Sequence, residues 1–333
     1  MKRGLSNSMG QEPKTSLENK VKKDNGNIAG IVVPKDEDVV YKKYFNECLE
    51  NEPIHIFSVT KSVVSMLFGI ASDKGCIKNL DEKVIDFFPD YQIRKREKTI
   101  QHITIRNLLT MTAPYKHKFN PYPKYFSSED WVISSLDFLG GKGKIGTFRY
   151  APIIGADILS GILINATGKS VLEFAQDNLF SPLEISVDKN IYFQSKEEQV
   201  DFYKSKGVND WVVDSNGTNT AGWGLSLTTM DMAKLGQLCL NEGYWNGRQI
   251  ISGKWIAEST QVQSVWKARH LKYGYLWWII DETEHSFAAL GDGGNAIYVN
   301  PKDRIVVAVS SLFVPRVKDR IDFIKREVEP LFK

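Results

Sequence analysis

The sequence is poor in cysteine, has no long apolar run and carries no excess of one charge. Its three cysteines, Cys48, Cys76 and Cys239, are odd in number and show no C-x-x-C spacing, so they suggest neither a disulfide framework nor a thiolate zinc site. No stretch is long and apolar enough to span a bilayer, and no apolar run of signal length follows the basic start. The 43 Lys and Arg against 40 Asp and Glu are spread along the chain, which argues against nucleic acid or an anionic membrane as partner. These absences give the expectation of a cytoplasmic protein. The five histidines, His55, His102, His117, His270 and His285, lack metal-ligand spacing. No G-x-S-x-G elbow exists for a Ser-His-Asp hydrolase. Gly141-Lys-Gly-Lys-Ile-Gly146 matches G-x-G-x-x-G but lies outside any strand–turn–helix unit. No metal and no cofactor are expected.

What is present centres on residues 55–75. After Ser58 the residues Val63, Val64, Met66, Leu67, Phe68, Ile70 and Ala71 are apolar almost all round, which predicts a helix buried on most sides and ended by Gly75. Ser58 stands at its start and Lys61 one turn later, beside it. A lysine held in an apolar helix loses hydration, which disfavours its charged form and moves it towards the range of a general base. Serine is also a preferred helix N-cap, so the chemistry depends on context. The S-x-x-K spacing occurs at Ser58, Ser186 and Ser264, and only Ser58 is followed by a buried helix.

Taken in order, Ser16 to Lys23 reads as a short helix, and Ile28 to Val33 with Val39 to Tyr44 as a hairpin. Short amphipathic helices and turns follow, with an aromatic loop at residues 115–128 that can shape one wall of a cleft. Gly155 to Ala166 and Ser170 to Leu179 are predicted helices, residues 184–220 are irregular, and a capping pattern at Thr228 opens a helix to Leu240. Ser252 to Thr260 is a further helix. Tyr273 to Ile280, Ser286 to Leu290, Ala296 to Asn300 and Ile305 to Ser310 are predicted strands, with a last amphipathic helix from Arg316 to Phe332. The fold class is therefore mixed α/β: an antiparallel sheet domain from residues 1–77 and 231–333, and a helical insertion over residues 78–230. The site is expected at their interface.

Several ordered segments then resemble the serine β-lactamase and penicillin-binding-protein superfamily, in its class C, esterase and DD-peptidase-like branch. They are Phe57-Ser-Val-Thr-Lys-Ser, Ile103-Thr-Ile-Arg-Asn-Leu-Leu-Thr-Met-Thr, Gly146-Thr-Phe-Arg-Tyr-Ala-Pro and Ala221-Gly-Trp-Gly-Leu-Ser-Leu-Thr-Thr-Met-Asp. The resemblance implies Ser58 as nucleophile, Lys61 as its partner and Tyr150 as the phenol that passes a proton. It implies an oxyanion hole from the amides of Ser58 and Asn295, and a substrate-binding turn at Asp292, Gly293 and Gly294.

Two positions depart from the family pattern. Where the family has an asparagine beside the tyrosine, this chain has Pro152, which offers no amide side chain. Where it has a Lys or His that attracts a carboxylate, this chain has Asp292. Two like charges about 4 Å apart at an effective dielectric near 20 repel by roughly 4 kcal/mol, enough to remove most affinity for a carboxylate. The expectation is a serine esterase or amidase on a small neutral or amine-bearing substrate, with weak or no β-lactam turnover. A penicillin-binding DD-peptidase or β-lactamase, and a non-catalytic binding protein retaining the fold, are the alternatives.

Overall fold

The computed structural model describes residues 11–116 and 121–333, so His117 and the middle of the aromatic loop lie outside the described residues. Eight strands form one antiparallel sheet. They are β1 (Ile28–Lys35), β2 (Asp38–Tyr44), β3 (Ser264–Trp266), β4 (Leu271–Tyr273), β5 (Trp278–Asp281), β6 (Ser286–Gly291), β7 (Asn295–Asn300) and β8 (Ile305–Ser311). Their spatial order is β2-β1-β8-β7-β6-β5-β4-β3, so the hairpin from the N-terminal part lies against the last strand. Strands from both ends of the chain thus build one sheet, as expected.

Each face of the sheet is covered by helices because alternate residues along its central strands are apolar on both sides. On one face Ile31, Val33, Val307 and Val309 pack with Leu17 and Val21 of helix α1 (Gln11–Asp24) and with Phe323, Ile324 and Val328 near the C-terminus. On the other face Val32, Ile297, Val306 and Ala308 meet helix α2 (Val59–Asp73) and the helix Thr229–Leu240. Every residue of α2 from Val59 to Ala71 is buried, the all-round burial its apolar sequence predicts. The helix at Thr229 opens on a full capping box between Thr228 and Asp231.

Three expectations need correction. Tyr273 to Ile280 is not one strand: the chain reverses between β4 and β5, Gly274 N–H donating to the Trp277 carbonyl (2.8 Å), and Tyr273 pairs with Trp278. The run of alternating aromatics hid the reversal, since both arms of a hairpin can present large rings. Residues 184–220 hold a helix, Lys196–Lys204, and a parallel strand pair, Lys189–Ile191 with Asp210–Val212. This helix escaped the periodicity because Phe202 is its buried residue and the Ser195 cap starts it. The last helix begins at Arg320, capped by Asp319, and widens at Ile324–Val328.

The insertion contains the helices Trp131–Phe138 and Ile154–Thr167 besides that strand pair. Its apolar residues, among them Ile158, Leu159 and Ile162, share one continuous core with Met66 and Leu67 of α2. We propose the division at residues 78 and 230 as one of chain path, not of packing. Among the described residues, no helix is long and apolar enough to cross a membrane.

Candidate active site

Ser58 sits at the N-terminus of α2, where backbone amides have no partner within the helix. Its side chain makes no capping hydrogen bond, so the hydroxyl is left for other work. Phe57, just before it, is held at φ 49°, a left-handed conformation that costs a non-glycine residue free energy and is concentrated at functional sites. The short pairing of Ile54–His55 with Ser226–Leu227, and the bond from Ile56 N–H to the Leu225 carbonyl (2.9 Å), tie this turn to the far side of the cleft.

Lys61 lies one turn into α2, only 2% exposed. Its Nζ is 2.7 Å from Ser58 Oγ and donates to the Gly222 carbonyl, also at 2.7 Å. Burial pushes this amine down to about 7, against the opposing pull of the Asp292 and Asp157 charges. Near neutral pH a large fraction is therefore uncharged, and a neutral amine at this distance can accept the serine proton.

Tyr150 stands over the pair, its ring centroid 5.8 Å from Lys61 Nζ. Burial pushes the phenol up to about 12, an interaction with the Ser58 hydroxyl acting in the other direction. It keeps its proton in the range where Lys61 loses one. The ring is set by Trp266 of β3 (6.1 Å, stacked) and Trp278 of β5 (5.6 Å, tilted). The turn at Lys267–His270 and the reversal at Gly274 bring the two tryptophans to this wall.

The turn after β6 lies against the nucleophile's own segment. A Cβ on Gly291 would sit 2.3 Å from the Ile56 carbonyl, so only glycine allows the strand end this close. Asp292 is exposed and Gly293 and Gly294 are buried. Asn295 pairs with Gly291 across the turn. Its side chain is committed to the sheet, accepting from Ser311 N–H (2.9 Å) and donating to the Asp292 carbonyl (2.8 Å). Pro152 lies on the opposite wall: a Cβ on Gly222 would meet its carbonyl oxygen at 2.5 Å.

The sequence did not single out Gly222 or Asp157. Asp157, 2% exposed in the helix Ile154–Thr167, accepts from the amides of Ala221 (2.8 Å) and Gly222 (3.1 Å) and from the Tyr125 hydroxyl. Burial raises it to about 6, opposed by those donors and by Lys61. A signal was available: Asp157 is the one acid in the apolar run Ile154-Gly-Ala-Asp-Ile-Leu-Ser-Gly-Ile-Leu163. An acid in a helix buried all round demands partners, as Lys61 does in α2.

Comparison with known proteins agrees with this architecture. A 6-aminohexanoate-dimer hydrolase of Paenarthrobacter ureafaciens is 21% identical over 296 residues, covering 82% of this chain and 70% of that one. The crystal structure of a family VIII carboxylesterase superposes with a TM-score of 0.73 at 14% identity, covering 99% of each chain. A penicillin-binding protein homologue from Caulobacter crescentus superposes with a TM-score of 0.72 at 15% identity, covering 93% of each. The family model described as Beta-lactamase matches residues 17–326. That match spans most of the chain, and this protein belongs to the Beta-lactamase family.

Proposed function

We propose that this protein is a serine hydrolase working through an acyl-serine, an esterase or amidase on small neutral or amine-bearing substrates, with little or no β-lactam turnover. The observation that carries the reading is the 2.7 Å approach of a buried Lys61 Nζ, held near 7, to Ser58 Oγ. Ser58 Oγ attacks the substrate carbonyl and its proton passes to Lys61. The oxyanion is held by the Ser58 amide and an amide of the turn Gly291–Asn295. As the bond to the leaving group breaks, Tyr150 donates its proton to that group and is reprotonated by Lys61. Water then cleaves the acyl ester, releasing the acid and restoring Ser58. The 6-aminohexanoate-dimer hydrolase and the carboxylesterase support ester and amide cleavage as the chemistry of this arrangement.

Reaction with a fluorophosphonate and with a labelled penicillin, followed by mass mapping of the adduct, tests this. Labelling of Ser58 by the phosphonate alone is the expected result. Labelling by both points to the penicillin-binding alternative, and labelling by neither to a chain without this catalysis.

A further inference from the structure

The cleft mouth beside Ser58 holds a second arrangement that the acyl-transfer chemistry does not use. Asp292 is exposed at the end of β6, one residue beyond the Gly291 contact with the Ile56 carbonyl. Near it stand aromatic rings from four separate segments. Phe313 follows β8, and its Cα would lie 3.3 Å from a Cβ at Gly293. Tyr203 comes from the helix Lys196–Lys204, with its ring centroid 6.2 Å from that of Phe313. Phe57, next to the nucleophile, backs both at 5.2 and 5.6 Å. Tyr122 comes from the short helix Tyr122–Phe126. Tyr122, Tyr203 and Phe313 are each partly exposed.

The chemistry of this set is specific. A carboxylate with partly exposed aromatic faces attracts an alkylammonium, which gains an ion pair and ring-face contact together and leaves its methylenes against apolar surface. A carboxylate-bearing substrate meets a charge of its own sign and is repelled. The phenols of Tyr122, Tyr203 and Tyr150 are raised first by burial and further by the Asp292 charge. At pH 8, above its value of about 7, Lys61 is mostly uncharged in the resting site and opposes a bound ammonium little. Tyr203 is also fixed in place, its hydroxyl accepting from Gln199 Nε2.

We propose that Asp292, Tyr203, Phe313 and Tyr122 form an alkylammonium subsite, and that the preferred substrate is an ester or amide carrying a protonated amine. This rests on the acyl-serine reading and narrows its substrate class.

The test compares p-nitrophenyl 6-aminohexanoate with p-nitrophenyl heptanoate, which puts a methyl where the ammonium stands, at about pH 8, where the alkylamine keeps its proton. The expected ratio of kcat/KM, ammonium over methyl, is at least about tenfold in the natural protein, and Asp292→Asn lowers that ratio by roughly ten- to a hundredfold. Tyr203→Leu lowers it by a smaller factor, and Asp292→Lys turns the preference towards a carboxylate-bearing ester. A ratio at or below unity, or one that Asp292→Asn leaves unchanged, overturns the subsite while the acyl-serine reading stands. Hydrolysis of neither ester overturns the acyl-serine reading instead. Titration calorimetry with hexylammonium then decides the subsite: binding lost in Asp292→Asn supports it, and no binding overturns it.

Discussion

Lys61 and Asp157 hold opposite sides of one residue: Lys61 Nζ donates to the Gly222 carbonyl while Asp157 Oδ1 accepts from the Gly222 amide. The buried amine of Lys61 and a buried acid from another helix are thereby fixed to the same peptide segment. Asp157 does two things through it. It places the carbonyl that orients the amine, and its charge favours the protonated form of Lys61.

Replacing Lys61 with methionine separates catalysis from stability. Ester hydrolysis is expected to fall by at least about a thousandfold, because the nucleophile loses its base. Thermal stability is expected to rise. The folded-state value of Lys61, about 7, lies below its ordinary 10.5, so folding is penalised as pH falls from 10.5 and fully penalised below about 7. The gain from Lys61→Met should therefore be largest below pH 7, on the order of a few kcal/mol, and vanish towards pH 10.5. Calorimetric scans across that range check it.

The pH dependence of kcat/KM should rise through about 7 as Lys61 loses its proton, with Tyr150, near 12, still protonated above that limb. His55 does not contribute: burial holds it at about 3, and its Nε2 accepts from Gly224 N–H. Asp157→Asn removes one of the two negative charges acting on Lys61, the other being Asp292, so the limb should move to lower pH. A pH–rate profile of the variant beside the natural protein measures the shift. A limb that stays in place would show that Asp157 acts only as scaffold.

Tyr150→Phe tests the division of labour between phenol and amine. For an amide, whose leaving amine needs a proton, kcat should fall by about 10²–10⁴. For a p-nitrophenyl ester, whose leaving group departs as an anion, the loss should be much smaller. Equal losses on both substrates would assign Tyr150 to Ser58 activation instead.

Gly222→Ala places a methyl 2.5 Å from the Pro152 carbonyl, both on backbone with little room to yield. The overpacking should cost about 1–3 kcal/mol of stability. Displacing the Gly222 carbonyl from Lys61 should also lower kcat by more than KM changes, which steady-state kinetics and a melting curve together report.

Local sequence determined what depends on short-range geometry. The apolar circumference of α2, the capping box at Thr228 and the one-turn spacing of Ser58 and Lys61 were legible because helical periodicity and the first turn are set by neighbours a few residues apart. The mixed fold with a sheet from both chain ends was legible for the same reason, although the strand Ser264–Trp266 was not and Tyr273 to Ile280 is two strands, not one. The tertiary structure decided the rest. Gly222 meets Lys61 across 161 positions and Asp157 across 65, and no local pattern reports such pairs. Trp266 and Trp278 reach Tyr150 because the chain reverses at Lys267–His270 and again at Gly274, and Tyr203 comes from a helix whose polar sequence concealed it. The sequence placed Ser58 and Lys61 one turn apart, and long-range packing supplied the dry surroundings that give the amine of Lys61 its lowered proton affinity.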